Sequence, residues 1–499
     1  MKSFKSIPAV CLFLLGATYA IAFFYLHTAK DFWLDEIFTH YQVSGHGFGS
    51  LCSSFHAGVN NLPPGYFLAL WFQGSVFGDS SFWLRFPSLI CSLVSIFYAH
   101  RCLCLFFDRH TSAFTVLTIF CFSVELHQQA VEARPYAMYF MVSVLSVYFW
   151  CRLIRDENPS WGLLTANTVV AFILPFTHYY GGLYNGLLLA SIWLVDRSAG
   201  RLRGKVYLSF FLGWACFCIL GFGVFLSQMS IISSNAEAGL LVTENHLIRI
   251  FNLYGNFILF PLPLLVLLAI YLFLHKPDNP GSTVNDQNNL PSTLVAMSMW
   301  LLVPGFIVLL AKFKFLEVAA QAKYFLPTVM ALAFFVACFI KGFLGRGRER
   351  EIPRINRYLL AYALFCLGFL ALNTHRFSKA FKNFRIPGYY AAVLKEELPV
   401  FVNDNTAFYH LSYFSNASPV YRITRDSSFV EHMDKFSSKL KTFNYQDEIL
   451  QVPELLYVTV GEPNTEESLF LDFIENTYSI VEERNLDRHR VYKFTMKDT

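Results

Sequence analysis

The stretch Lys30-Asp31-Phe32-Trp33-Leu34-Asp35-Glu36 follows an apolar N-terminal segment and ends in two adjacent carboxylates. Further along the chain comes the run Asn61-Leu62-Pro63-Pro64-Gly65-Tyr66-Phe67. A carboxylate at the point where the chain leaves an apolar segment can reach water and lipid headgroups, and it can accept a proton from a nucleophile. An acidic pair that only solvates a loop has the same pattern, so the rest of the chain must separate the two interpretations.

Composition places the chain among polytopic membrane proteins. Of its 499 residues 55% are hydrophobic and 15% are charged, and the mean hydropathy is +0.42; soluble globular proteins carry about 25% charged residues. Of the eleven cysteines only Cys52 lies in a loop, so no disulfide framework is predicted. The net charge of +4 gives no reason to expect a nucleic-acid partner.

Apolar windows predict about eleven membrane-spanning helices. Lys2 and Lys5 precede the first window and no small-residue cleavage site follows it, which predicts an anchor with a cytoplasmic N terminus rather than a signal peptide. The predicted spans are Pro8 to Leu26, Phe82 to Tyr98, Phe114 to Leu126, Tyr136 to Leu153, Trp161 to Phe176, Tyr179 to Val195, Val206 to Leu226, Phe251 to Leu274, Leu294 to Leu310, Tyr324 to Ile340 and Leu359 to Leu372.

The short apolar segment from Leu62 to Phe77 decides the sidedness of the loops that follow it. If it does not span, the basic clusters around Arg101, Arg152, Arg203 and Arg348 all lie on the side of the N terminus. If it spans, all of them move outside, against the positive-inside rule. We therefore predict a helix that lies in the outer membrane interface.

Two domains are predicted because charged residues become frequent after Leu372. Residues 1–375 form an all-α polytopic membrane bundle whose outer loop, 28–81, is catalytic, and residues 376–499 form a small soluble extracytoplasmic α/β domain. In that domain we expect helices at Tyr389 to Leu398 and Thr465 to Asn476, and strands at Leu455 to Val460, Tyr478 to Val481 and Arg490 to Phe494. The domain carries no phosphate-binding glycine loop, metal-ligand spacing or catalytic triad, which favours a lid or docking role.

Cationic residues gather on the face that this topology places outside. Arg134 follows Glu132 and precedes a proline that can begin the next span, and its guanidinium could hold a phosphate in a bidentate manner. A snorkelling arginine paired with Glu132 is the alternative. Lys323 is a second predicted phosphate contact, and Lys312 and Lys314 are weaker candidates.

Other candidates on this face are less specific. His178 and Tyr179, with Tyr180, could hydrogen-bond a sugar or phosphate, although a lone interfacial histidine is more often a packing residue. Arg85 could pair with Asp79 or with the loop carboxylates, and a structural role is favoured. In the acidic pair we assign Asp35 as the base and Glu36 to holding the acceptor or the structure.

Four motifs in this order resemble the multispanning glycosyltransferases of the dolichyl-phosphate-mannose protein mannosyltransferase type, which include the bacterial aminoarabinose transferase. They are Leu34-Asp35-Glu36, Leu62-Pro63-Pro64-Gly65-Tyr66-Phe67, Leu84-Arg85-Phe86-Pro87-Ser88 and Glu132-Ala133-Arg134-Pro135-Tyr136-Ala137. The resemblance implies a GT-C fold, a sugar donor carried on a polyprenyl phosphate, and inverting transfer on the periplasmic or luminal side with Asp35 as base. Where the family has Arg-Tyr before a later span, this chain has Lys323-Tyr324, which loses the bidentate fork.

These observations predict an integral-membrane hexosyl or pentosyl transferase, most simply of a bacterial inner or plasma membrane. Its partners would be a polyprenyl-phosphate-linked sugar, membrane lipids, and a lipid, glycan or protein acceptor. No cofactor is required by the pattern; a divalent metal near Asp35 and Glu36 is left open, since no His or Cys cluster demands one. The alternatives are a transporter or flippase of lipid-linked sugars and a non-catalytic scaffold. A transporter would more often place charges near the membrane midplane.

Overall fold

The computed structural model describes residues 7–44, 47–56, 60–237, 290–312, 322–344, 352–383, 393, 395–402, 405–415, 419–423, 441–443, 452–460, 470–472, 474, 477–486 and 489–497. The chain divides into two compact units. The first comprises Met1–His27 and Asn61–Ser378, and the second comprises Thr28–Asn60 and Lys379–Thr499. The predicted catalytic loop 28–81 is thus shared between the units, and the predicted domain boundary at 375/376 stays a prediction.

The first unit is a helical bundle. Its helices are α1 (Ile7–Ala29, whose end belongs to the second unit), α4 (Gly65–Phe77), α5 (Ser81–Leu103), α6 (Arg109–Phe122), α7 (Val124–Gln129), α8 (Tyr136–Arg155), α9 (Trp161–Thr177), α10 (Tyr180–Ser198), α11 (Gly204–Glu237), α12 (Leu290–Lys312), a 3₁₀ turn (Ala322–Phe325), α13 (Pro327–Leu344) and α14 (Ile352–Asn383, whose end from Lys379 belongs to the second unit).

Five of these helices contain segments long and apolar enough to cross a membrane: Ile7–Ala29, Ser81–Leu103, Tyr136–Arg155, Gly204–Met229 and Ile355–Lys379. Three shorter apolar helices accompany them, at Trp161–Thr177, Ser292–Ile307 and Pro327–Gly342. All eight coincide with predicted spans, so the prediction of a multi-pass membrane protein is confirmed. The predicted span Phe251 to Leu274 lies outside the described residues.

Helix α8 is the central element of the bundle. Within its apolar window 72% of the residues are buried, against 28% for α11. Trp150 is fully buried, and its indole N–H donates to the carbonyl of Leu188 in α10 at 3.0 Å. Because α8 is fixed by its neighbours along its length, the residues at its N-terminal end are held in defined positions.

One predicted span is wrong in its extent. The apolar run from Phe114 to Leu126 is interrupted at Ser123, where α6 ends and α7 begins. The Ser123 hydroxyl accepts a hydrogen bond from the backbone N–H of Leu126 at 3.1 Å and so caps the new helix. Hydropathy did not predict this break, because one capping serine inside an apolar run changes the mean hydropathy of the run very little.

Helix α4 confirms that the segment after Pro64 is helical. Its 13 residues would extend about 20 Å at about 1.5 Å per residue, less than the roughly 30 Å of a bilayer core. A Cβ on Gly65 would lie 2.6 Å from the carbonyl oxygen of Phe176, so glycine is needed where α4 meets the end of α9.

The second unit contains a six-stranded mixed sheet. The strands are β1 (Val400–Val402), β2 (Val420–Ile423), β3 (Lys441–Phe443), β4 (Glu454–Val460), β5 (Tyr478–Leu486) and β6 (His489–Met496), in the order β3-β2-β1-β4-β6-β5. The four neighbouring strands β3, β2, β1 and β4 are parallel to one another. Strand β6 pairs antiparallel with β4 on one side and with β5 on the other. The helices of this unit are α2 (Leu34–Val43), α3 (Phe48–His56) and α15 (Asn405–Phe414).

The predicted α/β class of the C-terminal region is confirmed by this sheet. The three predicted strands correspond to β4, β5 and β6, whereas β1, β2 and β3 were not predicted because each has only three or four residues. The predicted helix at Thr465 to Asn476 lies largely outside the described residues. Half of the predicted helix at Tyr389 to Leu398 also lies outside them, and its described end, Lys395 to Leu398, is a turn and an irregular segment rather than a helix. The sheet is covered by a buried cluster that includes Phe401, Tyr457, Phe470 and Phe494.

Candidate functional site

Arg134 occupies the turn that leads into α8. Pro135 stands at the N-cap of α8 with φ −66°, which suits the fixed φ of proline and starts the helix at Tyr136. Arg134 is 5% exposed, and its guanidinium lies 5.9 Å from the centre of the Tyr136 ring. The arginine is therefore held inside the protein, against an aromatic face.

Glu132 anchors the same turn. It is 2% exposed, and one of its carboxylate oxygens accepts a hydrogen bond from the side chain of Gln128 at 2.9 Å. Its backbone carbonyl accepts a hydrogen bond from the Ser88 hydroxyl in α5 at 2.6 Å. Two of the four sequence motifs, those containing Ser88 and Glu132, thus meet in space.

His178 joins the cluster from the turn between α9 and α10. Its ring stacks on Tyr139 with centroids 4.7 Å apart and an interplanar angle of 22°, and it lies 5.2 Å from the ring of Tyr324. A Cβ on Gly181 would lie 2.4 Å from the carbonyl oxygen of Leu174, so only glycine permits a turn this tight. This close approach brings a histidine far along the chain to the start of α8.

Lys323 enters from the 3₁₀ turn before α13. Its ammonium lies 5.0 Å from the centre of the Tyr136 ring and 6.0 Å from that of Tyr324. Arg134 and Lys323 therefore share Tyr136 as a common aromatic neighbour. We name Arg134, Tyr136, His178, Lys323 and Tyr324 the cationic cluster.

His178 is the neutral member of the cationic cluster. Burial lowers the pKa of its imidazole to about 3, with further lowering from Lys323 and Arg134. The backbone N–H of Tyr180 donates to Nδ1 at 3.3 Å, so the neutral ring carries its proton on Nε2. Among the described residues Nε2 is buried and has no hydrogen-bond partner. The ring thus presents an N–H donor beside two cations.

Glu125 belongs to the same surroundings and was not singled out from the sequence. Burial raises the pKa of its carboxyl, Glu132 raises it further, and Lys323 lowers it. The carboxyl lies in the first turn of α7, two residues after the capping Ser123. A serine followed by an acidic residue is a helix-start signal that could have revealed it, had the run not been interpreted as one span.

The structure does not gather all the predicted residues into this cluster. The hydroxyl of Tyr179 donates to the side-chain oxygen of Gln228 in α11 at 2.7 Å, and Tyr180 rather than Tyr179 adjoins His178. Arg85 is fully buried in α5, in the turn before Ser88. Lys312 is the last residue of α12, and Lys314 and the side chain of Lys312 lie outside the described residues.

Asp35 and Glu36 belong to the second unit and begin α2. The Glu36 carboxylate forms an ion pair with Lys30 at 3.2 Å, with side-chain exposures of 0% and 5%. It also accepts a hydrogen bond from the backbone N–H of Trp33 at 3.4 Å, as in a capping box. Glu36 therefore holds the start of the helix together.

Asp35 differs from its neighbour because it is only half-buried. It lies in the first turn of α2, where the helix dipole favours a negative charge, and its backbone carbonyl accepts a hydrogen bond from the Thr39 hydroxyl at 2.9 Å. We name Lys30, Trp33, Asp35 and Glu36 the acidic turn.

Helix α2 packs on α15 of the C-terminal region. Tyr413 lies 5.0 Å from His40, edge to face, and 5.5 Å from Phe32, measured between ring centroids. The C-terminal region thus contacts the acidic turn's own helix, which gives this region a supporting role that was not visible in the sequence. In the described part of the chain no group of three or more His, Cys, Asp or Glu side chains could hold a metal ion.

Comparison with known proteins agrees with the resemblance inferred from the motifs. The family model of dolichyl-phosphate-mannose-protein mannosyltransferases matches residues 61–222, a range that includes Arg134 and His178 and excludes Asp35. No curated protein matches the sequence.

Solved structures extend the similarity to almost the whole chain. The chain is similar to ArnT from Cupriavidus metallidurans in the apo state, with a TM-score of 0.56 and 12% identity, covering 97% of this chain and 98% of that one. It is equally similar to ArnT bound to undecaprenyl phosphate, with a TM-score of 0.55 and 12% identity, covering 96% and 97% of the two chains. The predicted GT-C fold is therefore confirmed, together with a resemblance to the dolichyl-phosphate-mannose-protein mannosyltransferases over residues 61–222.

Proposed function

We propose that this protein is a membrane glycosyltransferase that moves a sugar from a polyprenyl-phosphate carrier to an acceptor. The observation that carries the proposal is the cationic cluster, in which Arg134, Lys323 and a neutral His178 with an available N–H meet around one aromatic ring. All three groups donate hydrogen bonds, and a phosphate offers only acceptors at the pH of the cell. The similarity to ArnT, which has been solved with undecaprenyl phosphate, supports a lipid phosphate as the ligand.

A phosphate in this cluster would be the leaving group of the transfer. As the bond from the anomeric carbon to the phosphate oxygen breaks, its electron pair stays on the phosphate, and negative charge grows there. Arg134 and Lys323 stabilise that charge, and the Nε2–H of His178 donates to one phosphate oxygen. Because cations neutralise the leaving group, no second carboxylic acid is needed to protonate it.

Asp35 is proposed as the base that activates the acceptor. The acceptor hydroxyl or amine gives its proton to the Asp35 carboxylate while its oxygen or nitrogen bonds to the anomeric carbon, on the side opposite the phosphate. The anomeric configuration is thereby inverted. The partial exposure of Asp35 suits a group that must exchange a proton with each turnover, whereas the Glu36 carboxylate is engaged with Lys30 and Trp33.

The transferred sugar is proposed to be a hexose or pentose, and its acceptor a lipid, glycan or protein on the extracytoplasmic face. This sidedness depends on α4 lying in the membrane interface. A cysteine-accessibility map of the two ends of Gly65–Phe77 tests it: labelling of both ends from the same side supports the topology, and labelling from opposite sides contradicts it.

The transfer itself is tested with membranes that contain the full chain and a polyprenyl phosphate carrying a labelled sugar. We expect the label to leave the lipid, with free polyprenyl phosphate as the second product. A transporter would instead move the intact lipid-linked sugar across the membrane without cleaving it. Translocation without cleavage would therefore overturn the proposal. EDTA in the same assay tests the requirement for a divalent metal near Asp35 and Glu36.

A further inference from the structure

A cavity lies near the C-terminal end of α8, whose N-terminal end carries Tyr136 of the cationic cluster. It encloses about 820 Å³ and is lined by residues of α1, α5, α6 and α8, all in the first unit. Tyr136, in the cationic cluster, and Arg152, in the cavity wall, are sixteen residues apart on α8. At about 1.5 Å per residue they are separated by about 24 Å along the helix axis, close to the roughly 30 Å of a bilayer core. The cavity therefore lies at the level of the membrane leaflet opposite to that of the cationic cluster.

One side of this cavity is basic. Arg101 comes from the end of α5, Arg109 from the start of α6 and Arg152 from the end of α8. The acid among the lining residues, Asp108, caps α6 by accepting hydrogen bonds from the backbone N–H groups of His110 and Thr111 at 2.9 and 3.0 Å. In the described part of the chain Arg101 and Arg109 form no ion pair with a carboxylate.

Apolar side chains form the rest of the cavity wall, and two of them are exposed on the surface of the bundle. Leu12 and Phe13 of α1 and Leu93 and Phe97 of α5 line it, and Phe13 and Phe97 are 74% and 56% exposed. Three arginines at one end of an apolar wall match the two parts of an anionic lipid, a phosphate headgroup and a hydrocarbon chain. The positive-inside rule accounts for basic residues at this end of the bundle, but it does not require them to line one cavity with an apolar wall.

We propose that this cavity binds an anionic membrane phospholipid, with its phosphate at Arg101, Arg109 and Arg152 and an acyl chain along Phe13 and Phe97. Because all three arginines are exposed, each contributes only modestly to the binding free energy. The site is therefore filled only by a ligand as concentrated as a bulk membrane lipid. This site is independent of the proposed catalytic function, because none of its residues belongs to the cationic cluster or the acidic turn.

The test is native mass spectrometry of the full chain with phosphatidylglycerol, and the variant is R101Q/R109Q. We expect about thirty-fold weaker phosphatidylglycerol binding in this variant, from the usual contribution of two basic residues at an anionic surface. The matched control is R197Q/K205Q, which removes two exposed cations from the same end of the bundle that do not line the cavity. This control should bind within about three-fold of the wild type, and R101K/R109K should retain binding.

Equal weakening in the two double variants would overturn the site, since it would show a general surface-charge effect. Phosphatidylcholine binding as tightly as phosphatidylglycerol would also overturn it, because the arginines would then have no role. If glycerol 3-phosphate bound as tightly as the lipid, the apolar wall would not contribute to binding, and the proposed acyl-chain site would be contradicted. Full displacement of phosphatidylglycerol by undecaprenyl phosphate at equal concentration would identify a carrier site instead and contradict the choice of a phospholipid.

Discussion

The cationic cluster and the acidic turn both bury charge, but the chain assembles them differently. The acidic turn is local, since Lys30, Trp33 and Glu36 satisfy one another within a single helix start. The cationic cluster joins three segments that are far apart in sequence, around Arg134, His178 and Lys323. The acidic turn leaves Asp35 half-buried beside the ion-paired Glu36, whereas the cationic cluster brings hydrogen-bond donors from distant segments together. The first suits a proton acceptor and the second an anion site.

The sharpest test of the acidic turn compares its two carboxylates. Asp35→Asn should lower the rate of sugar transfer by about 10²–10⁴-fold, because it removes the proposed base. Its melting temperature in detergent should fall only slightly, since Asp35 is half-buried and the variant loses chiefly the interaction of its charge with the dipole of α2, about 0.3–1 kcal/mol. Transfer at the wild-type rate would exclude Asp35 as the base, and a large fall in melting temperature would assign it a structural role.

Glu36→Gln should behave in the opposite way. It removes the carboxylate that lies 3.2 Å from the buried Lys30 ammonium, and removing one partner of a buried ion pair typically costs about 3–5 kcal/mol of stability. Thermal unfolding followed by circular dichroism measures the loss. Adding Lys30→Met to Glu36→Gln should recover much of it, because the ammonium that lost this carboxylate is then removed as well. A single variant as stable as the wild type would show that the ion pair does not hold the acidic turn.

The neutral state of His178 predicts a pH dependence of stability. Its pKa is about 3 in the folded protein and about 6.5 in the unfolded chain, so between these values only the unfolded chain binds the proton. Stability should therefore be unaffected by His178 above pH 6.5 and should fall below it, by about 2 kcal/mol at pH 5. His178→Asn should remove this part of the decrease. Part of the decrease should persist in the variant, since burial lowers the pKa of His127 to about 4.

An unchanged pH dependence in His178→Asn would contradict a buried neutral imidazole. The transfer rate of the wild type should likewise show no inflection from His178 between pH 5 and 8, because its charge does not change over that range.

The smallest effect is expected at Lys323. Lys323→Arg keeps the charge and restores the fork that the related family has, so lipid-phosphate affinity should stay within about three-fold or improve. Lys323→Gln should weaken it by about ten-fold, the usual value of a hydrogen bond to a charged group. Both are measured by titration with undecaprenyl phosphate. Equal affinities in the two variants would remove Lys323 from the phosphate site.

The sequence was most informative where the chemistry is local. The Asp35-Glu36 pair, the proline after Arg134 and the apolar windows each follow from adjacent residues, and the structure contains the corresponding helix starts and spans. The environment of His178 could not be predicted, because its stacking on Tyr139 depends on the tight approach at Gly181. The break at Ser123, and with it Glu125, was missed because hydropathy averages over the single residue that caps a helix.

The C-terminal region illustrates a further limit. Strands β4, β5 and β6 were predicted because they are long and apolar or alternating, whereas β1 to β3 depend on parallel neighbours to supply their hydrogen bonds. The contact of Tyr413 with His40 links residues far apart in the chain. Such contacts are set by tertiary packing, so the support that α15 gives to α2 is visible only in the structure.

The central claim is that the cationic cluster, with the buried Arg134 at the start of α8, binds a lipid phosphate. It is tested most directly by the dissociation constant of undecaprenyl phosphate for the full chain, measured for the wild type, Arg134→Gln and Arg152→Gln. Arg134 precedes α8 and is 5% exposed in the cationic cluster, whereas Arg152 lies in the last turn of the same helix and is exposed. We expect Arg134→Gln to raise the dissociation constant by about 10–100-fold, and Arg152→Gln to leave it within about three-fold of the wild type. Equal dissociation constants for all three proteins would contradict the account.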